Sequence, residues 1–189
     1  MRKIVAGLFI SLDGVVEAPD SWIGPYFNDE VGQHVGSLIA AGDTLLLGRV
    51  TYQGFAESFG GQSGGMADTM NNFPKVVVST TLDRADWQNS TLIGSNVAAE
   101  ITRLKAQPGR TINVSGSGTL VAWLLRQGLL DELNLLVFPV VVGSGKRLFE
   151  DQGDQVALKL TESGAFGTGV LHLTYEPAPD RDGRTPDEA

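Results

Sequence analysis

The chain has 189 residues, a hydrophobic fraction of 42%, a charged fraction of 19% and a formal net charge of −8, values that suit one globular domain with a substantial core. The acidic excess disfavours nucleic acid and anionic lipid as partners, and the absence of cysteine excludes a disulfide framework, a thiolate nucleophile and a cysteine-built metal site. No apolar run reaches the roughly 18 to 20 residues of a membrane span, and Asp13 arrives too early for an ordinary secretory signal, so a cytoplasmic location is the default expectation. In chain order, Lys3 to Ile10 is a nearly continuous apolar run, which predicts a strand buried on both faces. Ser11-Leu12-Asp13-Gly14-Val15-Val16 and a long loop with Pro19, Trp22, Gly24 and Pro25 follow; long loops beside a core strand are often lids. Asn28 is placed to cap a helix with Asp29 and Glu30 in its first turn, Val31, Val35, Leu38 and Ile39 on its buried face, and Gly42 at its end.

Thr44 to Leu47 predicts a second strand, closing on Gly48-Arg49-Val50-Thr51-Tyr52. A mobile glycine-rich loop (Gly60, Gly61, Gly64, Gly65) is expected next. Pro74 to Thr81 predicts a third strand ending in three hydroxyls, and Ser90 to Gly94 a short fourth. Asn96 is placed to cap a helix carrying Val97, Ile101 and Leu104. Ile112 to Val114 then leads through Ser115-Gly116-Ser117-Gly118-Thr119 into a helix with a stripe of Leu120, Val121, Leu124 and Leu125. Leu133 to Val142 predicts another buried strand, and Gly143-Ser144-Gly145-Lys146-Arg147 a glycine–basic turn. Val156 to Thr161 and Val170 to Tyr175 alternate as antiparallel strands do. From Pro177 to the end nothing is available to bury, and a flexible tail (177–189) is expected beyond a single domain over 1–176. Strands alternating with helices predict an α/β fold, a mostly parallel central sheet flanked by helices and finished by an antiparallel hairpin.

Three polar clusters fall at strand ends, where ligands of such sheets sit. A glycine turn opening a helix presents free N–H groups and the positive end of the helix dipole, which attract phosphate. Gly116-Ser117-Gly118 has that form, although structural glycine turns look the same and no third glycine completes a dinucleotide fingerprint. In Gly48-Arg49-Val50-Thr51 the guanidinium can pair with a phosphate and the hydroxyl with a pyrophosphate; the plainer alternative is a helix start with an exposed arginine. Ser79-Thr80-Thr81 offers hydroxyl donors or an ordinary turn cap. Taken together, three anion-friendly groups at strand ends suit a dinucleotide with an extra phosphate, NADP in preference to NAD. His34 and His172 lack metal-ligand spacing, so no metal site is expected.

These segments resemble a known family. Ser11-Leu12-Asp13-Gly14, Leu46-Leu47-Gly48-Arg49-Val50-Thr51-Tyr52, Lys75 to Leu82, Val114 to Leu120, Leu129 to Leu133 and Pro139 to Phe149 follow in order over Arg2 to Tyr175. The chain is similar to the dihydrofolate reductase-like superfamily, in the branch that includes the reductase domain of bacterial riboflavin biosynthesis. The resemblance implies an NADPH-dependent reductase with that fold, often a homodimer. By motif position it implies Arg49 and Ser79 to Thr81 at the 2′-phosphate end, Thr51 beside Gly48 at the pyrophosphate, and Gly116, Ser117, Gly118 and Thr119 on the pyrophosphate from the other side. It further implies that the backbone of Leu8 to Ile10 and the Asp13 turn border the nicotinamide, with Trp22 in the loop that closes over it.

Hydride transfer asks little beyond placing two carbons together and excluding water, with a proton donor where the substrate requires one. Asp13 and Asp29 are the candidate catalytic carboxylates. The alternatives are a turn former for Asp13 and, for Asp29 like Glu30, a first-turn partner of the helix dipole. Deamination is excluded, because the chain has neither H-x-E nor C-x-x-C. The substrate stays open among pterins, ribosylated pyrimidines and other small carbonyl or imine compounds. A nucleotide-binding protein that kept the pocket without efficient turnover is the alternative of a different class.

Overall fold

The computed structural model describes residues 1–149 and 155–178. Among them, strands β1 (Ile4–Ser11), β2 (Gly42–Gly48), β3 (Lys75–Val78), β4 (Ser90–Ile93), β5 (Thr111–Val114), β6 (Glu132–Phe138), β7 (Leu158–Ala165) and β8 (Leu171–Pro177) form one sheet. Their order is β4-β3-β2-β5-β1-β6-β8-β7. The first six run parallel and the last two pair antiparallel. Five helices connect or flank them: α1 (Asp29–Ala41), α2 (Arg49–Phe59), α3 (Gly65–Asn72), α4 (Val97–Ala106) and α5 (Gly118–Arg126). This is the expected α/β architecture, with its hairpin at the carboxyl end. None of the helices is long and apolar enough to cross a membrane.

Strand alternation sorts the core onto two faces. Ile4, Ala6, Leu8 and Ile10 of β1, with Leu46, Ile112 and Val114, pack under α4 and α5 through Ile101, Leu120, Val121 and Leu124. Leu45, Leu47 and Val77 point the other way, onto Tyr52 of α2, Met70 of α3 and Ile39 of α1. Phe9, Leu136 and Phe138 extend that second face under Val31. Burial along β1 therefore alternates between full and partial where the apolar run predicted two equally buried faces. α1 lies over Gly7, where a Cβ would reach ordinary van der Waals contact with a Leu38 methyl at 3.7 Å.

Element ends depart from expectation for local reasons. Asn28 caps α1 as expected, its Oδ1 accepting the Val31 N–H at 3.1 Å. The helix then passes into β2 without a loop, because Asn113 donates to the carbonyls of Leu38 and Ile39, satisfying part of the helix end. The ladder of β3 stops at Val78 rather than running to Thr81. Ser79 Oγ accepts the N–H groups of Thr81 and Leu82 and bends the chain away. β6 stops at Phe138 because Pro139 brings no N–H to a ladder. Asn96 precedes α4 but sits in the left-handed region, φ 49°, and its side chain caps nothing. Part of the glycine-rich region is helical: α3 begins at Gly65. Pro177 closes β8, and the Ala178 N–H donates to Ala157 at 2.9 Å; the rest of the expected tail lies outside the described residues.

Candidate functional site

β2 and β5 are parallel neighbours, yet α2 leaves β2 onto one face and α5 leaves β5 onto the other. Helices diverging from adjacent strands open a crevice at the strands' carboxyl ends. β1, the other neighbour of β5, is followed by α1 on the α2 side. β5 is also short. Its ladder with β1 ends at Ala6↔Val114 and its ladder with β2 at Leu45↔Asn113, whereas β1 runs on to Ser11 and β2 to Gly48. The result is a notch above β5, flanked by the backbone of Leu8 to Ile10 and of Leu46 to Gly48.

The turn after β5 sits at the base of this notch. Gly48 donates its N–H to the Gly116 carbonyl at 3.1 Å. A Cβ on Gly48 would lie 2.5 Å from Ser117 Oγ, and one on Gly116 would lie 2.5 Å from Thr51 Oγ1. Gly116 also has φ 132°, and the peptide between it and Ser117 is cis. Such close backbone approach requires glycine at both positions. Ser117 is the N-cap of α5, its Oγ accepting the Leu120 N–H at 3.4 Å. α2 begins at Gly48 with no side chain capping its first turn, leaving N–H groups directed at the crevice. Arg49 is exposed, with its guanidinium donating to Gln53 Oε1 at 3.2 Å, and Thr119 is exposed one residue into α5. A Cβ on Gly118 would meet a Val16 methyl at 2.9 Å.

The third cluster stands at the end of β3, beside β2. Ser79 is buried and occupied in its turn, while Thr80 and Thr81 are exposed. Gly48, Arg49, Thr51, Ser79, Thr80, Thr81 and Gly116 to Thr119 therefore share one edge. With strands about 4.8 Å apart, the ends of β3, β2 and β5 span about 10 Å, so an elongated ligand can meet all three.

Asp13 performs a different task. Its Oδ1 accepts from Ser11 Oγ at 2.6 Å and from the Val142 N–H at 3.0 Å, and its Oδ2 from the Gly143 N–H at 2.9 Å. Arg147 approaches Oδ2 at 3.5 Å and donates to the Asp13 carbonyl at 2.9 Å. The Ser11 hydroxyl and the two backbone donors hold the carboxyl far below its usual range. Asp13 is thus an ionised clasp between the loops after β1 and β6, and as such it has no proton to give at neutral pH. Glu17 repeats the device, accepting the Lys146 N–H at 3.1 Å. Neither Glu17 nor Arg147 stands out as a clasp in the sequence, since their partners lie well over a hundred residues away.

Trp22 is buried, at 8% exposure, with its ring 5.7 Å from Phe138 and its Nε1 donating to the Glu17 carbonyl. It anchors the loop after β1 into the core. Asp29 is exposed in the first turn of α1 and lines a shallow open hollow with Phe27, Asn28, Gly32 and Gln33. Glu30 beside it accepts the Gly167 N–H at 3.0 Å, tying α1 to the β7–β8 turn.

Comparison with known proteins agrees with this architecture. The chain is 28% identical over 180 residues to the uncharacterized protein YyaP of Bacillus subtilis, covering 92% of this chain and 94% of that one. A putative riboflavin biosynthesis protein from Shewanella sp. PV-4 superposes with a TM-score of 0.77 at 21% identity, over 93% of this chain and 99% of the other. Dihydrofolate reductase from Enterococcus faecalis, solved with NADP(H), gives 0.62 at 15% identity over 93% and 96%. The fold is accordingly dihydrofolate reductase-like. The model of the RibD C-terminal domain matches residues 2–172, and the chain belongs to that family.

Proposed function

We propose that this chain is an NADPH-dependent reductase acting on a small heterocyclic, carbonyl or imine substrate of pterin-like or ribosylated pyrimidine-like form. The family match and the reductases among its structural neighbours support a reductase of the riboflavin-pathway and dihydrofolate reductase type. The observation that carries the reading is the notch above β5, where two strand ends, two helix N-termini and an exposed arginine meet.

The residues fit an anionic dinucleotide. Gly48 and Gly116 keep side chains out of the crevice, the uncapped first turn of α2 and the Thr51 hydroxyl suit a pyrophosphate, and Gly118 and Thr119 approach it from α5. Arg49, with Thr80 and Thr81 across the β2–β3 ends, suits a terminal phosphate. Bound there, the reduced nicotinamide supplies a hydride. Backbone groups of Leu8 to Ile10, beyond the end of the β5 ladder, would border the nicotinamide. The clasped loops of Asp13 and Glu17, pinned by Trp22, exclude water from that side. We assign Asp29, in its hollow with Phe27, to the polar edge of the substrate; Asp13 has a structural role.

Calorimetry and thermal melting with NADPH test the binding step, and loss of nicotinamide absorbance over a series of pterins and pyrimidines tests turnover. Binding and turnover of one series are expected. Absence of both heat and thermal protection refutes the reading. Binding with silence across the series favours a nucleotide-binding protein of this fold without efficient turnover.

A further inference from the structure

Glu30 and His34 lie about one turn apart on α1, so both face the β7–β8 hairpin. Glu30 Oε2 accepts the Gly167 N–H at 3.0 Å. The His34 ring stands 5.0 Å from the His172 ring of β8 and 5.5 Å from Phe166 of the turn, and Phe166 stands 5.2 Å from His172. Three rings from three segments thus close one cluster, continuous through Phe166 with the core around Val31 and Val35. His172 Nδ1 is buried and has no hydrogen-bond partner among the described residues. A proton added there would find no acceptor, so the cluster favours neutral imidazoles. The far end of α1 is fastened separately, by Asn113 to the Leu38 and Ile39 carbonyls.

We infer that His34 and His172 form an acid-released latch, which holds the N-terminal half of α1 and the hollow at Phe27 to Gln33 against the hairpin while both rings are neutral. Protonating both would set like charges on rings 5.0 Å apart in a half-buried aromatic cluster. Burial and the neighbouring imidazole already hold His34 below its ordinary value, against the opposing pull of Glu162 on β7. Glu30 uses its carboxylate on the Gly167 N–H, and Asp29 lies on the hollow. The turn from Ala165 to Val170, and Leu136 beside His172 on β6, bring no charge. A released helix end, its imidazole in water, takes up the proton first. The latch is therefore closed above about pH 6.5 and gives way as pH falls below that. This window lies above the range in which carboxylates such as Asp13 titrate. Its consequence for turnover rests on the reductase reading, which assigns Asp29 to the substrate; the latch itself does not.

Hydrogen–deuterium exchange of the full chain without ligand tests the inference, with rates corrected for the intrinsic pH dependence of amide exchange. Peptides over Asn28 to Val35 and Ala165 to Val170 are expected to exchange several-fold faster at about pH 5.5 than at about pH 7.5, with β1 and β5 unchanged. His34→Gln, which stays neutral, is expected to show no such response, and His34→Lys, charged throughout, to exchange quickly at both. Wild-type protection that ignores pH overturns the inference, as does a pH response that survives in His34→Gln. Should the variants fail to fold, NMR follows the wild type's two imidazoles, the only histidines in the chain. His34 is expected to titrate below about 6.5, and titration at or above that value overturns the inference. No nucleotide or substrate enters either measurement, so failure of the reductase reading leaves the outcome intact.

Discussion

Gly48 and Gly116 are joined by one backbone hydrogen bond of 3.1 Å between the end of β2 and the turn after β5. That bond places the start of α2 against the start of α5, so spacing at this point sets the width of the crevice. Gly48→Ala puts a methyl 2.5 Å from Ser117 Oγ and 3.1 Å from the Ser117 backbone nitrogen. Overpacking of this kind costs about 1 to 3 kcal/mol. The variant is expected to melt at lower temperature and to lose affinity for NADPH by more than its melting shift accounts for. Parallel melting and calorimetric titrations check this; unchanged affinity would remove the turn from the binding site.

Arg49 separates one dinucleotide from the other. It is exposed, and its recorded side-chain partner is neutral Gln53, so Arg49→Ala leaves the core untouched. A charge-assisted contact to a phosphate contributes about 1.5 to 3 kcal/mol, roughly ten- to a hundredfold in affinity. Arg49→Ala is expected to weaken NADPH by that factor and NADH hardly at all, in titrations against both. Equal losses would assign the guanidinium elsewhere.

The sequence was most legible where the chain talks to itself locally. The strand–turn–helix at Ile112 to Leu125, the Asn28 cap and the polar residues at strand ends all depend on neighbours within a few positions. Their gathering on one edge followed from parallel topology. Asp13 was not legible: its three carboxylate donors come from Ser11, two residues away, and from Val142 and Gly143 at the far end of the chain. Trp22 read as part of a lid, because nothing local announces that Phe138 will meet its ring edge-on. The length of β5 relative to β1 and β2, which makes the notch, depends on pairing across the sheet and has no signature in any one segment.

The Asp13 clasp makes a pH prediction. Its folded pKa lies far below the usual value, whereas in the unfolded chain it titrates near about 3.9. The stability it contributes is therefore fully present above about pH 4 and is lost as pH falls below that, because the unfolded state takes up the proton first. Asp13→Asn is expected to melt lower at neutral pH and to show a flatter loss of melting temperature on acidification. Melting curves from neutral to strongly acidic buffer test both. An acid limb as steep as the wild type's would assign that proton uptake to other carboxylates.

At the start of β3, the end of the strand away from the crevice, Lys75 is a buried charge whose own contacts lie outside the proposed binding residues. It is 1% exposed. Its Nζ donates to the carbonyls of Met70, Asn71 and Phe73 at 2.8, 3.2 and 2.7 Å, and lies 4.1 Å from the centre of the Trp87 ring. All three ammonium protons are thereby used on carbonyls that the end of α3 leaves free. Lys75→Met keeps the side-chain length but takes the donor from the Met70 and Phe73 carbonyls, while the Asn71 carbonyl still accepts from Gln88 and Asn89, at a cost of about 3 kcal/mol. Burial also pushes the lysine down to about 8, while in an unfolded chain it titrates near about 10.4. Between those values the unfolded state holds more protons, so the wild type gains stability as pH rises through this window. Urea unfolding is expected to give a lower midpoint for the variant at neutral pH and to show the alkaline gain only in the wild type. NADPH affinity measured on the folded variant is expected to match the wild type, since Lys75 lies at the start of β3 while the crevice residues lie at the strands' carboxyl ends; a weakened affinity would mean that the two ends of β3 are mechanically coupled.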